Sequence, residues 1–377
     1  MIKFYKHNLN KNKNYLSKTL GGQYLTSGPI CEEVESILKK KFGKKSAFLT
    51  NSWTNAAISI LLALKVKKDD EIIIPACTFV ACANIIEIVG GKVVFADIDP
   101  KTKLMDIDDC LKKITNKTKA IMPVHLYGNL FPTFNLKKKI RKNIYIIEDS
   151  AHAFSGEYNN KPLGFYADFL IFSFYATKSI TCGEGGAILS NNKQLMENIK
   201  SIANNGMSKP AFKRFENNKY KPWDVKSFGF KANLSDINAS LLKDQILNYK
   251  KLSNIKKTIY IKLKKKLSNL KQIKFPSNLK NNDRDYYLFP IGVNRRLRNE
   301  LIEHLTSKKI FVTVNFKSIT DLSFYKKKYK VKNCVNSIKW GEETLSLPFH
   351  AKLKVGEINK IYKEINSFFK KNLIFND

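Results

Sequence analysis

The chain has 377 residues, 43% of them hydrophobic, so it can bury a large core and divide into two domains. Its formal net charge is +35, from 67 Lys and Arg residues against 32 Asp and Glu residues. The lysines are spread along the whole chain without a helix-turn-helix, zinc-finger or RNA-binding pattern. We therefore expect mostly solvated lysines and no nucleic-acid partner, with attraction of an anionic nucleotide as a second interpretation of the charge.

The sequence indicates neither a membrane span nor a signal peptide. The most apolar segment, residues 72–90, is interrupted by Pro75, Asn84 and Glu87. The six cysteines lack the CxxC or Cys/His spacing of a metal site, so we expect no bound metal. Three cysteines lie in segments predicted to be buried, namely Cys77, Cys82 and Cys182. Reduced, buried thiols predict a cytoplasmic protein.

Helices and short apolar strands alternate from the N-terminal part of the chain onward. Apolar residues at helical spacing predict a helix over residues 31–42, ended by Gly43. A strand follows at residues 47–50, and an apolar helix at residues 56–64. The chain before residue 30 shows little periodicity.

Polar side chains precede this second helix, at Ser52 and Thr54 on either side of Trp53. Hydroxyl groups at the start of a helix are ordinary N-caps. The free backbone N–H groups at the same helix end can also bind a phosphate. Both interpretations remain open from these residues alone.

Further apolar runs predict a series of buried strands. These strands cover residues 72–76, 93–96, 120–124, 145–147, 169–172 and 187–190. Helical or loop segments lie between most of them. Strands and helices that alternate at this spacing predict an α/β fold with a mostly parallel, doubly wound sheet and right-handed crossovers.

Several candidate site residues follow the ends of these strands. In a parallel sheet, ligands bind just beyond the carboxyl ends of the strands, where Asp149 is expected. Asp149 could instead cap the next helix. Phe79 is either a core residue or a ring that contacts a ligand. His125 and Tyr127 either border a substrate or are hydrogen-bonded core groups.

Lys178 lies in the predicted loop between two core strands, five residues after Ser173 and before the glycine-rich residues 183–186. A solvated lysine in a turn is the ordinary interpretation. A lysine held beside a phosphate site can instead bind the aldehyde of pyridoxal phosphate, whose ring nitrogen needs a carboxylate to stay protonated. Asp149 at a strand end provides that carboxylate, so the two residues together predict a pyridoxal-phosphate site.

The composition changes after residue 245. An amphipathic linking helix is expected first, with lysines on its solvated faces. Its apolar stripe consists of Leu252, Ile255, Ile259, Leu263 and Leu267. A strand at residues 286–293, a helix at 298–308, a strand at 311–314 and a terminal helix follow. We predict a large domain over residues 1–245 and a small α/β domain over residues 246–377.

The chain resembles the sugar aminotransferases of the DegT/DnrJ/EryC1/StrS family, among the fold type I pyridoxal-phosphate enzymes. Eight segments in the family's order carry the resemblance, at residues 25–29, 51–54, 75–79, 124–128, 148–152, 173–186, 229–240 and 345–348. They extend over nearly the whole chain. The resemblance implies a fold type I transferase with an N-terminal arm over the active-site mouth and an insertion at residues 191–228 that shapes the sugar pocket.

The resemblance also implies roles for individual residues. Lys178 and Asp149 are the implied catalytic residues. The implied cofactor-binding residues are Ser52, Trp53, Thr54, Phe79, Asp149, His152, Ser173, Lys178, Lys231 and Asn233. Relatives often carry glycine in place of Trp53 and glutamine in place of His152. A histidine adds a group that titrates near neutral pH.

The segment at residues 229–236 resembles one that, in relatives, reaches the cofactor phosphate of the neighbouring subunit. Lys231 and Asn233 are its candidate phosphate ligands, although Ala232 stands where one subgroup of relatives has tyrosine. The resemblance therefore implies a homodimer with shared active sites.

The implied reaction transfers an amino group, with glutamate as donor, to a nucleotide-linked keto sugar, for amino-sugar and surface polysaccharide biosynthesis. Two alternative functions differ from this one. In a sugar dehydratase of the same fold, a histidine replaces the lysine, so Lys178 argues against that activity. A non-catalytic regulatory member is suggested only by the net charge. The sequence does not define the sugar, the nucleotide or the carbon that receives the amine.

Overall fold

The computed structural model describes residues 1–7, 14–209, 215–216, 219–278 and 282–373. The strands in this part of the chain are β1 (Ser46–Thr50), β2 (Glu71–Pro75), β3 (Lys92–Ala96), β4 (Thr118–Ile121), β5 (Tyr145–Asp149), β6 (Glu157–Tyr158), β7 (Lys161–Pro162), β8 (Phe169–Ser173), β9 (Gly186–Ser190), β10 (Phe215–Glu216), β11 (Lys219–Tyr220), β12 (Asn282–Asp283), β13 (Phe289–Gly292) and β14 (Thr344–Leu347). The α-helices are α1 (Asn14–Leu20), α2 (Pro29–Phe42), α3 (Trp53–Ala63), α4 (Ala81–Ile88), α5 (Ile107–Lys112), α6 (Thr133–Lys137), α7 (Lys193–Ile202), α8 (Asp236–Leu247), α9 (Tyr249–Leu267), α10 (Arg295–Ser307), α11 (Ser323–Tyr329), α12 (Val335–Glu343) and α13 (Val355–Leu373).

A seven-stranded sheet in the order β1-β9-β8-β5-β4-β2-β3 forms the centre of the protein. The strands from β8 to β3 pair in parallel, while β9 is antiparallel to both β8 and β1. Only β9 therefore runs against the common strand direction. This arrangement confirms the predicted mostly parallel α/β sheet.

Both faces of the sheet are covered, as a doubly wound fold requires. Neighbouring residues of β8 show this directly, because Leu170 packs in one hydrophobic cluster and Ile171 in another. Successive side chains of a strand point to opposite faces. Ile171 shares its cluster with Ile60 of α3, whereas Leu170 shares its cluster with Leu38 of α2.

A third hydrophobic cluster is formed mainly by the C-terminal part of the chain. It joins α9, β13, α10, β14 and α13, and Ile2 of the N-terminal segment packs into it. Tyr325 and Trp340, however, pack in the cluster of the central sheet. The division into domains at residues 245 and 246 stays a prediction.

Three of the predicted strands differ from the structure. The strand predicted at residues 286–293 is β13, which covers only Phe289–Gly292. The strand predicted at residues 120–124 is β4, which ends at Ile121. The strand predicted at residues 311–314 is absent, and Thr313 makes only an isolated bridge with Ser346. The reason is that the backbone at Phe311 pairs elsewhere, since its N–H donates to the carbonyl of Ile2 at 3.1 Å.

The buried face of α9 differs from the predicted stripe at two adjacent residues. Ile255 is 40% exposed, whereas Lys256 is only 6% exposed. Lys256 follows Leu252 by four positions and precedes Ile259 by three, so it shares their helix face. The expectation that all lysines of this helix are solvated is therefore wrong for Lys256.

Two predictions from composition can be compared with the structure. All six cysteines are buried and unbridged, as predicted for Cys77, Cys82 and Cys182. Among the helices of the described ranges, none is long and apolar enough to cross a membrane. Part of the predicted insertion, residues 210–214 and 217–218, lies outside the described residues.

Candidate active site

The candidate site lies at the carboxyl edge of the central sheet. Thr50, Asp149 and Ser173 are the last residues of β1, β5 and β8, three strands that run in the same direction. The pairing of β9 aligns Gly186 with both Thr50 and Ser173. Because parallel strands end at one edge, the segments that follow them converge there.

Lys178 lies in the loop between β8 and β9, as predicted from the two apolar runs. Its backbone N–H donates to the carbonyl of Tyr175 at 2.9 Å, which forms a turn. The Tyr5 hydroxyl donates to the Lys178 carbonyl at 3.3 Å, so the N-terminal segment contacts this loop. The Lys178 ammonium lies 4.9 Å from the centroid of the Tyr287 ring. The side chain is thereby directed over an aromatic ring at the sheet edge.

Asp149 is a buried carboxylate. Its Oδ1 accepts from the N–H of Ala151 at 2.9 Å, and its Oδ2 accepts from the thiol of Cys82 at 3.4 Å. Burial raises the pKa of the Asp149 carboxyl, although the Ala151 N–H and the charge of Lys178 act in the opposite direction. Within the described ranges, no basic side chain forms an ion pair with it at 4.0 Å or less. This carboxylate can therefore stabilise a cationic group of a ligand.

His152 is buried between two aromatic rings. Its ring centroid lies 4.4 Å from that of Tyr287 and 5.7 Å from that of Phe316. The Tyr127 N–H donates to Nδ1 at 3.3 Å, which leaves the proton of the neutral ring on Nε2. Burial, and then the charge of Lys178, lower the pKa of His152 well below its usual value. The expectation that His152 titrates near neutral pH is wrong, because the charged ring would be desolvated.

Phe79 follows β2 and lies at the open side of the site. It is 56% exposed, which excludes the interpretation as an ordinary core residue. Its ring contacts Phe316 at 5.8 Å between centroids, and Phe316 stacks on His152. Phe316 and Tyr287 were not singled out from the sequence. Both residues contact His152, although they are more than 130 positions away from it in the sequence.

The start of α3 forms a second part of the site. Ser52 is its N-cap, and Ser52 Oγ accepts from the N–H of Asn55 at 3.1 Å. A Cβ atom added to Gly186 would lie 2.7 Å from the Ser52 carbonyl and from Thr50 Oγ1. Only glycine therefore fits at this position. The close approach brings the helix start next to Ser173, whose Oγ accepts from the Tyr175 N–H at 3.5 Å.

Trp53 is the first residue of α3 and packs into the hydrophobic cluster of the central sheet. Its Nε1 is buried and has no hydrogen-bond partner in the described part of the chain. Because the ring lies in the core, the helix end stays accessible. Thr54, in the first turn of α3, is partly buried beside it.

Lys231 and Asn233 line a cavity that Lys178 does not line. This cavity has a volume of about 330 Å³ and also borders Ser27, and neither Asp149 nor His152 lines it. The Asn233 amide donates to Ser27 Oγ, and Asn233 Oδ1 is buried without a partner among the described residues. Thr50 forms an isolated bridge with Asn233, and Asn51 Nδ2 donates to the Lys231 carbonyl at 3.3 Å, so both residues lie beside the end of β1 and the start of α3.

His125 and Tyr127 are hydrogen-bonded core groups, which resolves the two interpretations of the sequence. His125 Nε2 lies 3.2 Å from a carboxylate oxygen of Glu148. The Tyr127 hydroxyl donates to the carbonyl of Asn315 and accepts from Trp340 Nε1 at 2.9 Å. Both side chains are buried.

Comparison with known proteins identifies the family. The model of the DegT/DnrJ/EryC1/StrS aminotransferase family matches residues 7–366. The chain belongs to this family. The resemblance inferred from the eight sequence segments is therefore confirmed.

The names of several similar proteins refer to sugars or polysaccharides. The chain is 29% identical to the GDP-perosamine synthase of Escherichia coli O157:H7, over 95% of this chain and 96% of that protein. It is 28% identical to the spore coat polysaccharide biosynthesis protein SpsC of Bacillus subtilis, over 94% and 93% of the two chains. The putative sugar aminotransferase Spr1654 of Streptococcus pneumoniae, in its PMP form, superposes with a TM-score of 0.91 at 27% identity, over 98% of this chain and all of that chain. Spr1654 has also been solved in a PLP form.

The residues of the site fit pyridoxal phosphate, the cofactor of this aminotransferase family. Asp149 is a buried carboxylate without a cationic partner in the described ranges, as a protonated pyridine nitrogen requires. Hydroxyl groups and N–H groups at the start of α3 can bind the cofactor phosphate. Lys178 provides the primary amine.

Proposed function

We propose that this aminotransferase transfers an amino group from glutamate to the ketone of a nucleotide-linked sugar, with Lys178 and Asp149 as catalytic residues. The observation that carries the proposal is the convergence of Lys178, Asp149 and His152 at one sheet edge in a chain of this family. The name of one relative contains a GDP-linked amino sugar, and another is named for polysaccharide biosynthesis. Both names support a role in amino-sugar synthesis for a surface polysaccharide.

When bound, pyridoxal phosphate supplies a ring that accepts the electrons left on a carbon atom after a proton is removed. Lys178 would hold the cofactor through Nζ. Once released by the incoming amine, Nζ of Lys178 would take the proton from the α-carbon of the donor and later return a proton. The turn and the Tyr5 contact fix the backbone from which this side chain extends.

Asp149 would hold the proton on the ring nitrogen of the cofactor. Its two oxygens already accept from Ala151 and Cys82, which fixes the orientation of the carboxylate. His152 would stay neutral and offer Nε2–H as a hydrogen-bond donor to the cofactor. Phe79, whose ring is exposed at the open side of the site, would pack against the ring of the bound cofactor.

Ser52, Thr54 and Ser173 would bind the cofactor phosphate together with the first N–H groups of α3. Lys231 and Asn233 would add to the site of a partner chain, because residues 229–236 resemble a segment that does so in relatives. The minimal active unit would then be a homodimer with shared sites. The buried free thiols fit a cytoplasmic location.

A single-turnover assay tests the donor and the acceptor separately. Protein in the pyridoxamine form is mixed with a panel of GDP-, UDP- and dTDP-linked keto sugars, and the return of the visible absorbance of the aldehyde form is recorded. 2-Oxoglutarate, the keto acid of the donor, is tested in a separate reaction. We expect it and at least one keto sugar to restore the absorbance of the wild-type protein. The Lys178→Ala variant should recover its absorbance with neither compound. Recovery with 2-oxoglutarate but with no nucleotide-linked sugar would refute the proposed acceptor class.

A further inference from the structure

A second lysine is buried next to the candidate active site. Lys256 of α9 is 6% exposed, and its Nζ donates to Ser179 Oγ at 3.0 Å. The same ammonium lies 5.4 Å from the ring centroid of Phe349 and 5.8 Å from that of Tyr287. Lys178 lies over the Tyr287 ring as well. The two ammonium groups thus share Tyr287 as a neighbour, and Lys256 donates to the residue that follows Lys178 in the loop.

Lys256 has no carboxylate partner in the described ranges. Asp285 is the acidic group whose charge acts on it, but no ion pair within 4.0 Å joins the two. The oxygens of Asp285 already accept from the Phe154 N–H and the Tyr286 N–H, each at 2.6 Å, and from the Tyr249 hydroxyl. The buried charge of Lys256 is therefore stabilised only in part, by one hydrogen bond to the neutral hydroxyl of Ser179.

A small cavity lies between the two lysines. Its lining includes Tyr5, Lys178, Ser179, Lys256 and Tyr287, and no Asp or Glu lines it. Its volume is about 30 Å³, enough for a small group. A cavity of this size takes a group of a few atoms, such as a carboxylate.

Two further residues at this cavity add no negative charge to its lining. Lys6 also lines it and pairs with Glu357 at 3.7 Å, and Glu357 does not line the cavity. His350 lines it too, and burial lowers the pKa of its ring, so it is neutral at pH 7. The side chains that face the cavity are therefore cationic, neutral or hydroxyl-bearing, which favours an anion.

We propose that Lys256 binds the carboxylate of the amino donor and so places the donor's α-carbon at Lys178. This inference rests on the proposed function, because it assigns a residue to the donor. An α-amino acid carries its carboxylate one bond from the carbon that loses a proton. A cation beside Lys178 therefore suits this group better than the sugar, whose phosphates are several bonds from its ketone.

The charge state of Lys256 agrees with this role. Burial lowers its pKa to about 8, with the charge of Asp285 opposing the shift. The ammonium is still mostly protonated at pH 7. A bound carboxylate would offset the cost of burying this charge, which the Ser179 hydroxyl does only in part.

Equilibrium binding of an unreactive probe tests the subsite. Glutarate has the carboxylates of the donor but no amine, and its affinity for the holoenzyme can be measured by calorimetry. We expect Lys256→Met to weaken glutarate binding by about 10-fold or more, since a charge-assisted hydrogen bond is lost. Lys256→Arg should stay within about 3-fold of wild type, because it keeps the charge. Lys257→Met, on the exposed side of the same helix, should leave the affinity unchanged.

Inorganic phosphate is the second probe, because it shares the charge of a carboxylate. Equal glutarate affinity in wild type and Lys256→Met would overturn the proposal. So would a phosphate affinity that depends on Lys256 while the glutarate affinity does not, because the cation would then serve a phosphate.

The half-reactions separate this proposal from the proposed function. Lys256→Met should raise the glutamate concentration needed for half-maximal reaction by about 10-fold, and leave the sugar half-reaction within about 2-fold. Equal losses in both half-reactions would overturn a donor-specific subsite. If wild type reacts with glutamate but with no keto sugar, the proposed acceptor fails, and a Lys256-dependent glutamate reaction still supports the subsite.

Discussion

Replacement of Lys256 by methionine should stabilise the protein. Burial moves the pKa of this lysine from 10.5 to about 8, which corresponds to a cost of about 3 kcal/mol at pH 7. Methionine has a similar length and would keep the packing against Phe349 and Tyr287. The lost hydrogen bond to Ser179 offsets about 1 kcal/mol of the gain. We therefore expect Lys256→Met to raise the free energy of unfolding by about 2 kcal/mol.

The stability difference between Lys256→Met and wild type should also depend on pH, in a direction that follows from the pKa of Lys256. The pKa of Lys256 is lower in the folded protein than in the unfolded chain, so the unfolded chain binds more protons between about pH 8 and 10.5. The stability contribution of wild-type Lys256 therefore rises with pH through that window. The advantage of the methionine variant should be largest below pH 8 and smaller by about 1 kcal/mol at pH 9 than at pH 7.

Denaturant unfolding of the holoenzyme at pH 7 and pH 9, in buffer without carboxylates, measures both effects. Lys257→Met is the matched control, and it should stay within about 0.5 kcal/mol of wild type because this lysine is exposed. A Lys256→Met variant less stable than wild type at pH 7 would refute the reasoning. An advantage that does not change between the two pH values would also refute it.

Three further predictions concern the candidate site. Asp149→Asn should lower the turnover rate on the order of 10³-fold, because an amide cannot stabilise a protonated ring nitrogen. Gly186→Ala should weaken cofactor binding by about 10-fold or more, measured by titration of the apoprotein, because its Cβ would lie 2.7 Å from the backbone at the start of α3. Mixed dimers of Lys178→Ala chains and chains with Lys231→Ala and Asn233→Ala should regain part of the activity, since one site per dimer would be complete.

Each of these predictions has a control or a contrary outcome. Gly356→Ala, in the first turn of α13, meets open space and should bind the cofactor like wild type. Equal cofactor affinity in Gly186→Ala would show that the close approach does not matter. Near wild-type turnover of Asp149→Asn would leave the carboxylate as a structural group. Mixed dimers that form but stay inactive would argue against shared sites.

The fold could be predicted largely from the sequence because its strands are continuous apolar runs. β8 shows this best, since Phe169 and Ile171 are buried in one hydrophobic cluster and Leu170 and Phe172 in another. Asp149 and Lys178 could be located for the same reason, as Asp149 ends a buried strand and Lys178 follows another. The strand predicted at residues 311–314 failed because pairing depends on distant segments, here the N-terminal Ile2.

Contacts between distant residues could not be predicted in this way. Tyr5 and Lys178 are 173 positions apart, and no periodic pattern connects them. The contact between Cys82 and Asp149 joins α4 to β5 across 67 positions. Lys256 was overlooked for a different reason, because a charged residue on an apolar helix face does not add to the hydrophobic pattern. The helix spacing of Leu252 and Ile259 could have placed it on the buried face.

The central claim, that Lys178 carries pyridoxal phosphate, is tested most directly by reductive labelling. The holoenzyme is treated with borohydride, digested and analysed by mass spectrometry for the peptide that carries the cofactor. The account predicts one modified residue, Lys178, and no stable label in Lys178→Ala. Attachment to a different lysine, including the buried Lys256, would contradict it.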